Sequence, residues 1–185
     1  MGKIKNTVVP NKINMDNIPD NIRETYSYNK NKTIIDFSFP GAFISCECGK
    51  FNNYLKDKDN YIDKFRKLMC EVKNLSDFTL YELINNGRSR HCHQVPKEDE
   101  NKASNIIKEI FNVINENNKD AFDQEIGAES IYQLGLQSEI RIFGTIKGNV
   151  FRVYFIDYFH DFNFDQRRNE RNKKHCKFCA INTEL

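Results

Sequence analysis

The spacing of apolar residues changes along the chain, and each change predicts an element. In "TIIDFSF" (33–39) β-branched and aromatic residues alternate, with Ile35, Phe37 and Phe39 on one face. Pro40-Gly41 stops the run, so it reads as a strand. "AFISCECGKFNNYL" offers a weaker second strand, interrupted by Gly49 and Asn52-Asn53. Between 60 and 74 the period becomes helical: Tyr61, Ile62, Phe65, Leu68, Met69 and Val72 recur at 3.6-residue spacing, with charged residues mostly on the other faces. Ser76 or Asp77 then caps a short helix, "FTLYELINN", with Gly87 as its C′ residue. "GRSRHCHQVP" reads as a loop or short strand. Ile106, Ile107, Ile110, Phe111 and Ile114 mark a third amphipathic helix over 100–116. Residues 117–135 are polar and give no clear period. The last apolar stretch, "RIFGTIKGNVFRVYFIDYFHDF" (141–162), reads as a β-hairpin turning at Gly148.

The pattern predicts one α+β domain: a small antiparallel sheet packed on a helical hairpin plus a third helix. It covers 33–164, with an irregular polar lead-in at 1–32 and a basic, Cys-containing tail at 165–185. The chain has 185 residues, 39% of them hydrophobic, including 15 Phe and 8 Tyr. That suffices for one moderate core. A formal net charge of +2 excludes a chain that is basic throughout, so any nucleic-acid surface must come from local clustering. No stretch approaches the roughly 20 apolar residues of a membrane span. The N-terminus lacks an apolar signal core, and a cytoplasmic location is expected. The six Cys are then thiols or metal ligands before they are disulfides.

Candidate chemistry concentrates on the hairpin. Strict alternation on its second strand puts Phe151, Val153, Phe155 and Asp157 on a core face. Arg152, Tyr154 and His160 then stand in a row on the other. Arg, Tyr and His along one sheet face can grip a phosphate, stack a base and move a proton. The plainer alternative is a solvent face with a hydrogen-bonded His beyond the strand.

These pieces resemble the RelE/HigB class of small bacterial ribonuclease toxins. They are closer still to uncharacterised bacterial and phage proteins that run F-S-F, L-S-x-x-T-x-x-E-L, a His, then R-x-x-G … F … D-x-x-H. Here the pieces are Phe37-Ser38-Phe39, "LSDFTLYEL" (75–83), His91 or His93, Arg141 with Gly144, Phe151 or Phe155, and Asp157 with His160. They cover about a third of the chain. The resemblance implies a RelE-like fold and metal-independent attack of an RNA 2′-hydroxyl on the adjacent phosphate. It implies phosphate binding by Arg141 and Arg152, stacking by Tyr154, and acid–base work by His160 with His91 and His93. It also implies an antitoxin partner. The class's lysine pair has no match, since Lys147 sits in the turn.

A rival constellation is thiol-based. Cys176-x-x-Cys179 is a zinc half-site, and Cys46-x-Cys48 supplies a less usual second half; together they would pin the tail to the first strand. Reduced, packed thiols are the plainer alternative. Arg167, Arg168, Arg171, Lys173 and Lys174 in the tail suit a phosphate backbone, or a solvated terminus. The leading expectation is therefore a toxin-like or toxin-derived RNA-binding protein acting as a ribonuclease without a cofactor. The alternative is a non-catalytic phage or mobile-element interaction protein with structural Cys/His clusters, with or without zinc.

Overall fold

A computed structural model describes residues 31–85, 91–114, 121–127, 129–136, 138–163 and 166–181, with the backbone alone for 166–169 and 171. Its strands are β1 (Ile34–Asp36), β2 (Glu47–Cys48), β3 (Phe51–Asn52), β4 (His93–Gln94), β5 (Tyr132–Leu134), β6 (Arg141–Lys147) and β7 (Val150–Asp157). Its helices are α1 (Lys58–Ser76), α2 (Leu80–Asn85), α3 (Lys97–Ile114), α4 (Ala121–Glu125) and α5 (Gln166–His175).

The main sheet has the order β1-β7-β6-β5-β4, and β2 and β3 form a separate two-stranded ribbon. The class is α+β as expected, but the main sheet is mixed rather than antiparallel. β6 and β7 pair as a hairpin, turning at Gly148 with φ +63°. This leaves the outer edge of β7 open, and β1 fills it in parallel, Ile35 opposite Phe151. A parallel pair needs a long crossover. Nearly the whole domain, from residue 37 to 149, supplies it.

Two short strands complete the sheet from stretches without a legible period. β5 adds to β6, and β4 adds to β5 through His93 opposite Gln133. Strands of two or three residues cannot display alternation, so the pairing is set by neighbours rather than by local pattern.

Helix ends obey local chemistry. The Asp57 carboxylate accepts from the Asn60 amide at 2.8 Å and caps α1. For α2 the cap is Thr79, not Ser76 or Asp77: the Glu82 carboxylate accepts from the Thr79 amide at 2.9 Å, and Thr79 Oγ1 accepts from the Glu82 amide at 3.2 Å. This reciprocal pair is a capping box, and it accounts for the T-x-x-E of "LSDFTLYEL". Asp77 instead closes the C-terminus of α1. Gly87, expected as C′ residue of α2, lies outside the described residues.

The face α1 buries is also different from the expected one. Lys64, Leu68, Glu71 and Leu75 are buried, while Ile62 and Met69 are exposed. The helix is turned so that one cation and one carboxylate point inward, and both find partners. Lys64 pairs with Glu139 and donates to the Tyr158 carbonyl at 2.9 Å. The Glu71 carboxylate accepts from the Leu136 amide.

The hairpin register shifts between Phe143 and Gly144: Phe143 faces Phe155, whereas Gly144 faces Val153. Tyr154 is thus an extra residue on β7, and strict alternation does not run through it. Both faces of the strand are buried from Val153 onward. Phe155 stacks on Phe143 at 4.4 Å between ring centroids, and Tyr154 packs against Phe39 and Phe111. At the shift a Cβ on Gly144 would lie 1.9 Å from the Arg152 carbonyl oxygen. Gly144→Ala should therefore force the two backbones apart and destabilise the domain by about 3 kcal/mol. Urea denaturation measures this, and a loss within experimental error would show that the bulge has slack.

Candidate functional site

The chain leaves β7 through Asp157, whose side chain organises the loop beyond the strand. The carboxylate is fully buried and accepts three backbone amides: Phe159 at 3.1 Å, Asp161 at 2.9 Å and Phe162 at 2.8 Å. Two lysines hold the same loop. Lys64 donates to the Tyr158 carbonyl with its ammonium 4.2 Å from the Phe159 ring centroid. Lys102, from α3, donates to the Phe162 carbonyl and lies 4.3 Å from the Phe162 ring centroid. The amide of Asn172 donates to Asp161 at 2.6 Å, tying α5 to the loop.

Within this loop His160 has φ +61°, and it is the one non-glycine residue in that region among those described. The left-handed conformation costs an L-residue roughly 1–2 kcal/mol, so the contacts around it must hold it there. Strain of this kind concentrates at functional sites.

The His160 ring meets His91 edge to face, with centroids 5.3 Å apart and an interplanar angle of 87°. His91 precedes β4, and His93 lies on it. The His93 ring bonds the Gln94 carbonyl through Nδ1 at 2.8 Å and faces Gln133 Nε2 at 3.4 Å. Arg141 begins β6 directly opposite Asp157. It is buried, and it donates to the Ile140 carbonyl at 2.7 Å and to that of Ser138. Burial lowers its pKa, while Glu71, Asp157, Cys92 and Glu139 act to raise it. Four of the six residues expected to act together, His91, His93, Arg141 and His160, thus meet at one end of the sheet. Arg141 sits beneath the surface as a structural cation there.

The other two do not join them. Five residues of extended strand, roughly 17 Å, separate Arg152 from Asp157. Arg152 bonds Asp36 at 3.1 Å and also pairs with Glu125. It lines a separate cleft of about 530 Å³ with Glu129, Thr145 and Lys147. Tyr154 lines that cleft as well, but at 1% exposure it presents no face for a base to stack on. The expectation of Arg152, Tyr154 and His160 in one row is therefore corrected, because it assumed an unbroken alternation.

The tail folds back on the domain. Phe178 and Leu55 exchange two backbone hydrogen bonds of 2.8 and 2.9 Å. Lys173 pairs with Glu47 at 2.9 Å, Lys177 reaches the same carboxylate, and Lys174 is exposed. The side chains of Arg167, Arg168 and Arg171 lie outside the described residues. Cys46, Cys176 and Cys179 are buried and Cys48 half-buried. Cys179 Sγ accepts the Ser45 amide at 3.3 Å, and burial pushes the Cys46 thiol up to about 12. The contacts of the tail are with β2, Ser45 and Leu55 rather than with the first strand. Among the described residues no three His, Cys, Asp or Glu side chains converge as metal ligands. No described helix is long and apolar enough to cross a membrane.

Sequence reasoning missed Lys64 and Lys102, which hold the His160 loop, Gln133, which bonds the His91 carbonyl, and Glu71, which accepts the Leu136 amide. One signal was present: Lys64, Leu68, Glu71 and Leu75 share a helical face, with the two leucines seven residues apart.

Comparison with known proteins places the chain in a family. The family described as Uncharacterised protein UU032 matches residues 38–185, and the chain belongs to it. The Ureaplasma parvum serovar 3 protein of that description is 19% identical over 180 residues, which cover 97% of this chain and 93% of that protein. No solved structure matches.

Burial pushes the Asp157 carboxyl up to about 6, against the pull of its three amide donors. The folded state then holds this proton more tightly than the unfolded one. Asp157's favourable contribution is complete below about pH 4 and is lost as pH rises through about 6. Asp157→Asn removes the titration. The stability difference, wild type minus variant, should fall by on the order of 2–3 kcal/mol between pH 4 and 7. Denaturant titrations across that range measure it. A pH-independent difference would mean that the carboxyl ionises normally in the fold.

Proposed function

We propose that this UU032-family protein is a RelE-type, toxin-like ribonuclease in which His91 and His160 are the acid–base pair. The observation that carries the reading is the contact between two imidazoles on separate loops, one of them locked in a left-handed conformation. Imidazole is the side chain whose ordinary pKa lets it both accept and donate a proton near neutrality. Two of them within reach of one substrate are sufficient for RNA transesterification. One takes the proton of the 2′-hydroxyl as its oxygen attacks phosphorus. The other protonates the departing 5′-oxygen as the P–O bond breaks. The products are a 2′,3′-cyclic phosphate and a 5′-hydroxyl, and no metal or redox partner enters the balance.

Arg141 in this reading is a buried support for the loop end, not a phosphate clamp. Arg152 and Tyr154 take no part. An antitoxin would act by covering the His91–His160 end of the sheet.

A second reading is a non-catalytic interaction protein, and one observation favours it. Several cations expected to meet phosphate are neutralised internally: Arg152 by Asp36 and Glu125, and Lys173 by Glu47.

The test uses purified full-length protein, a labelled RNA oligonucleotide and EDTA, with wild type, His91→Ala and His160→Ala compared. Cleavage should fall by roughly 10²–10⁴-fold in either variant, the range for loss of a positioned acid or base. A 2′-deoxy nucleotide at the cleaved position should block the reaction. Full activity in His160→Ala, or no cleavage by wild type, would leave the interaction reading standing.

A further inference from the structure

We propose that Gln133 is a positioning residue: its buried amide couples the two histidine-bearing loops and donates to the free ring nitrogen of His93. Its bearing on proton transfer rests on the acid–base reading above, whereas the coupling itself has its own readout.

Gln133 lies at the centre of β5, between His93 of β4 and Phe143 of β6, and is 0% exposed. A polar side chain at such a position costs stability unless its hydrogen bonds are made. Here they go to three different residues. Oε1 accepts from Asn163 Nδ2 at 3.3 Å, and Asn163 ends the loop that Asp157 organises. Nε2 donates to the His91 carbonyl at 3.2 Å and faces His93 Nε2 at 3.4 Å. One planar amide therefore spans the loop of His160, the backbone of His91 and the ring of His93.

The amide has one productive orientation. Reversed, its NH2 would face the NH2 of Asn163, and its oxygen would face the His91 carbonyl. Held as it is, it engages His93 as well. A carbonyl only accepts, so His93 Nδ1 carries the proton that bonds Gln94 O. Nε2 is then the lone pair that receives the Gln133 donor. The separation of the His91 and His160 rings is thus set by a bridge from Asn163 through Gln133 to the His91 backbone.

The chain has four histidines, so imidazole spectra of the 15N-labelled full-length protein are simple to assign. In wild type near neutral pH, His93 should be the Nδ1–H tautomer, and a ring-to-ring Overhauser contact should join His91 and His160. Gln133→Leu keeps much of the volume but removes the bridge. It should leave His93 Nε2 without the Gln133 donor, moving that nitrogen's 15N shift, and abolish the His91–His160 contact while circular dichroism still reports a folded chain. Gln133→Glu replaces the donor with an acceptor and should leave His93 protonated on both nitrogens. A folded Gln133→Leu protein with the wild-type His93 Nε2 shift and ring contact would overturn the proposal. If that variant does not fold, a neutral Nδ1–H His93 in Gln133→Glu overturns it instead. These spectra need no substrate, so a negative RNA assay and a failed coupling are told apart.

Discussion

The fold turns on a buried carboxylate. Asp157 sits where β7 ends, out of reach of water, and its two oxygens take up three amides of the adjoining turn. Those amides have no strand to pair with, because the chain is leaving the sheet. A buried donor without a partner costs about 1–3 kcal/mol, and the carboxylate removes that cost three times over. It also introduces a charge that burial disfavours, which is why its pKa rises. Arg141 across the ladder and Lys102 from α3 lie close enough for their titration to respond to it.

That arrangement explains features of the helices that otherwise look like errors of pattern. A helix of a soluble domain ordinarily turns its apolar stripe inward. α1 turns Lys64 and Glu71 inward and leaves Ile62 and Met69 exposed. The loop after Asp157 needs a donor for the Tyr158 carbonyl, and the segment around Leu136 needs an acceptor for its amide. Lys64 and Glu71 supply them, with Leu68 and Leu75 filling the space between. The Phe159 ring makes this tolerable, since the Lys64 ammonium lies over its face while bonding oxygen.

Sequence pattern is a good guide to the type of a long element, though in α1 not to the face it buries. The α3 stripe of Ile106, Ile107, Ile110 and Phe111 is buried as its period requires, and the hairpin turns at Gly148. It fails where the structure breaks its own period or is too short to have one. Unbroken alternation along β7 assigns Tyr154 to an open face, but the register slips there and Tyr154 enters the core against Phe39 and Phe111. β4 and β5 have two and three residues, and the parallel pairing of β1 joins segments more than a hundred residues apart. No local spacing encodes either. The site shows the same division. His160, His91, His93 and Arg141 are legible as residue types near strand ends. Arg152 groups with them only if a shared face is taken as proximity, and a strand carries residues of one face far apart.

The two ends of the central hairpin are consequently different kinds of surface. At the Arg152 end the charges close on one another: the guanidinium pairs with Asp36 through Nε and with Glu125 through Nη1. Such a group holds β1, β7 and α4 together. At the His160 end the pairing runs through the backbone instead. The lysines bond carbonyls, the carboxylate bonds amides, and Gln133 bridges Asn163 to His91. Fixed charges are used there to hold a loop, and the groups carried on it are imidazoles in mutual contact. A stability argument alone does not account for placing His160 in a left-handed conformation, since glycine would adopt it at lower cost. The supporting contacts make sense if the ring they position is the feature being maintained.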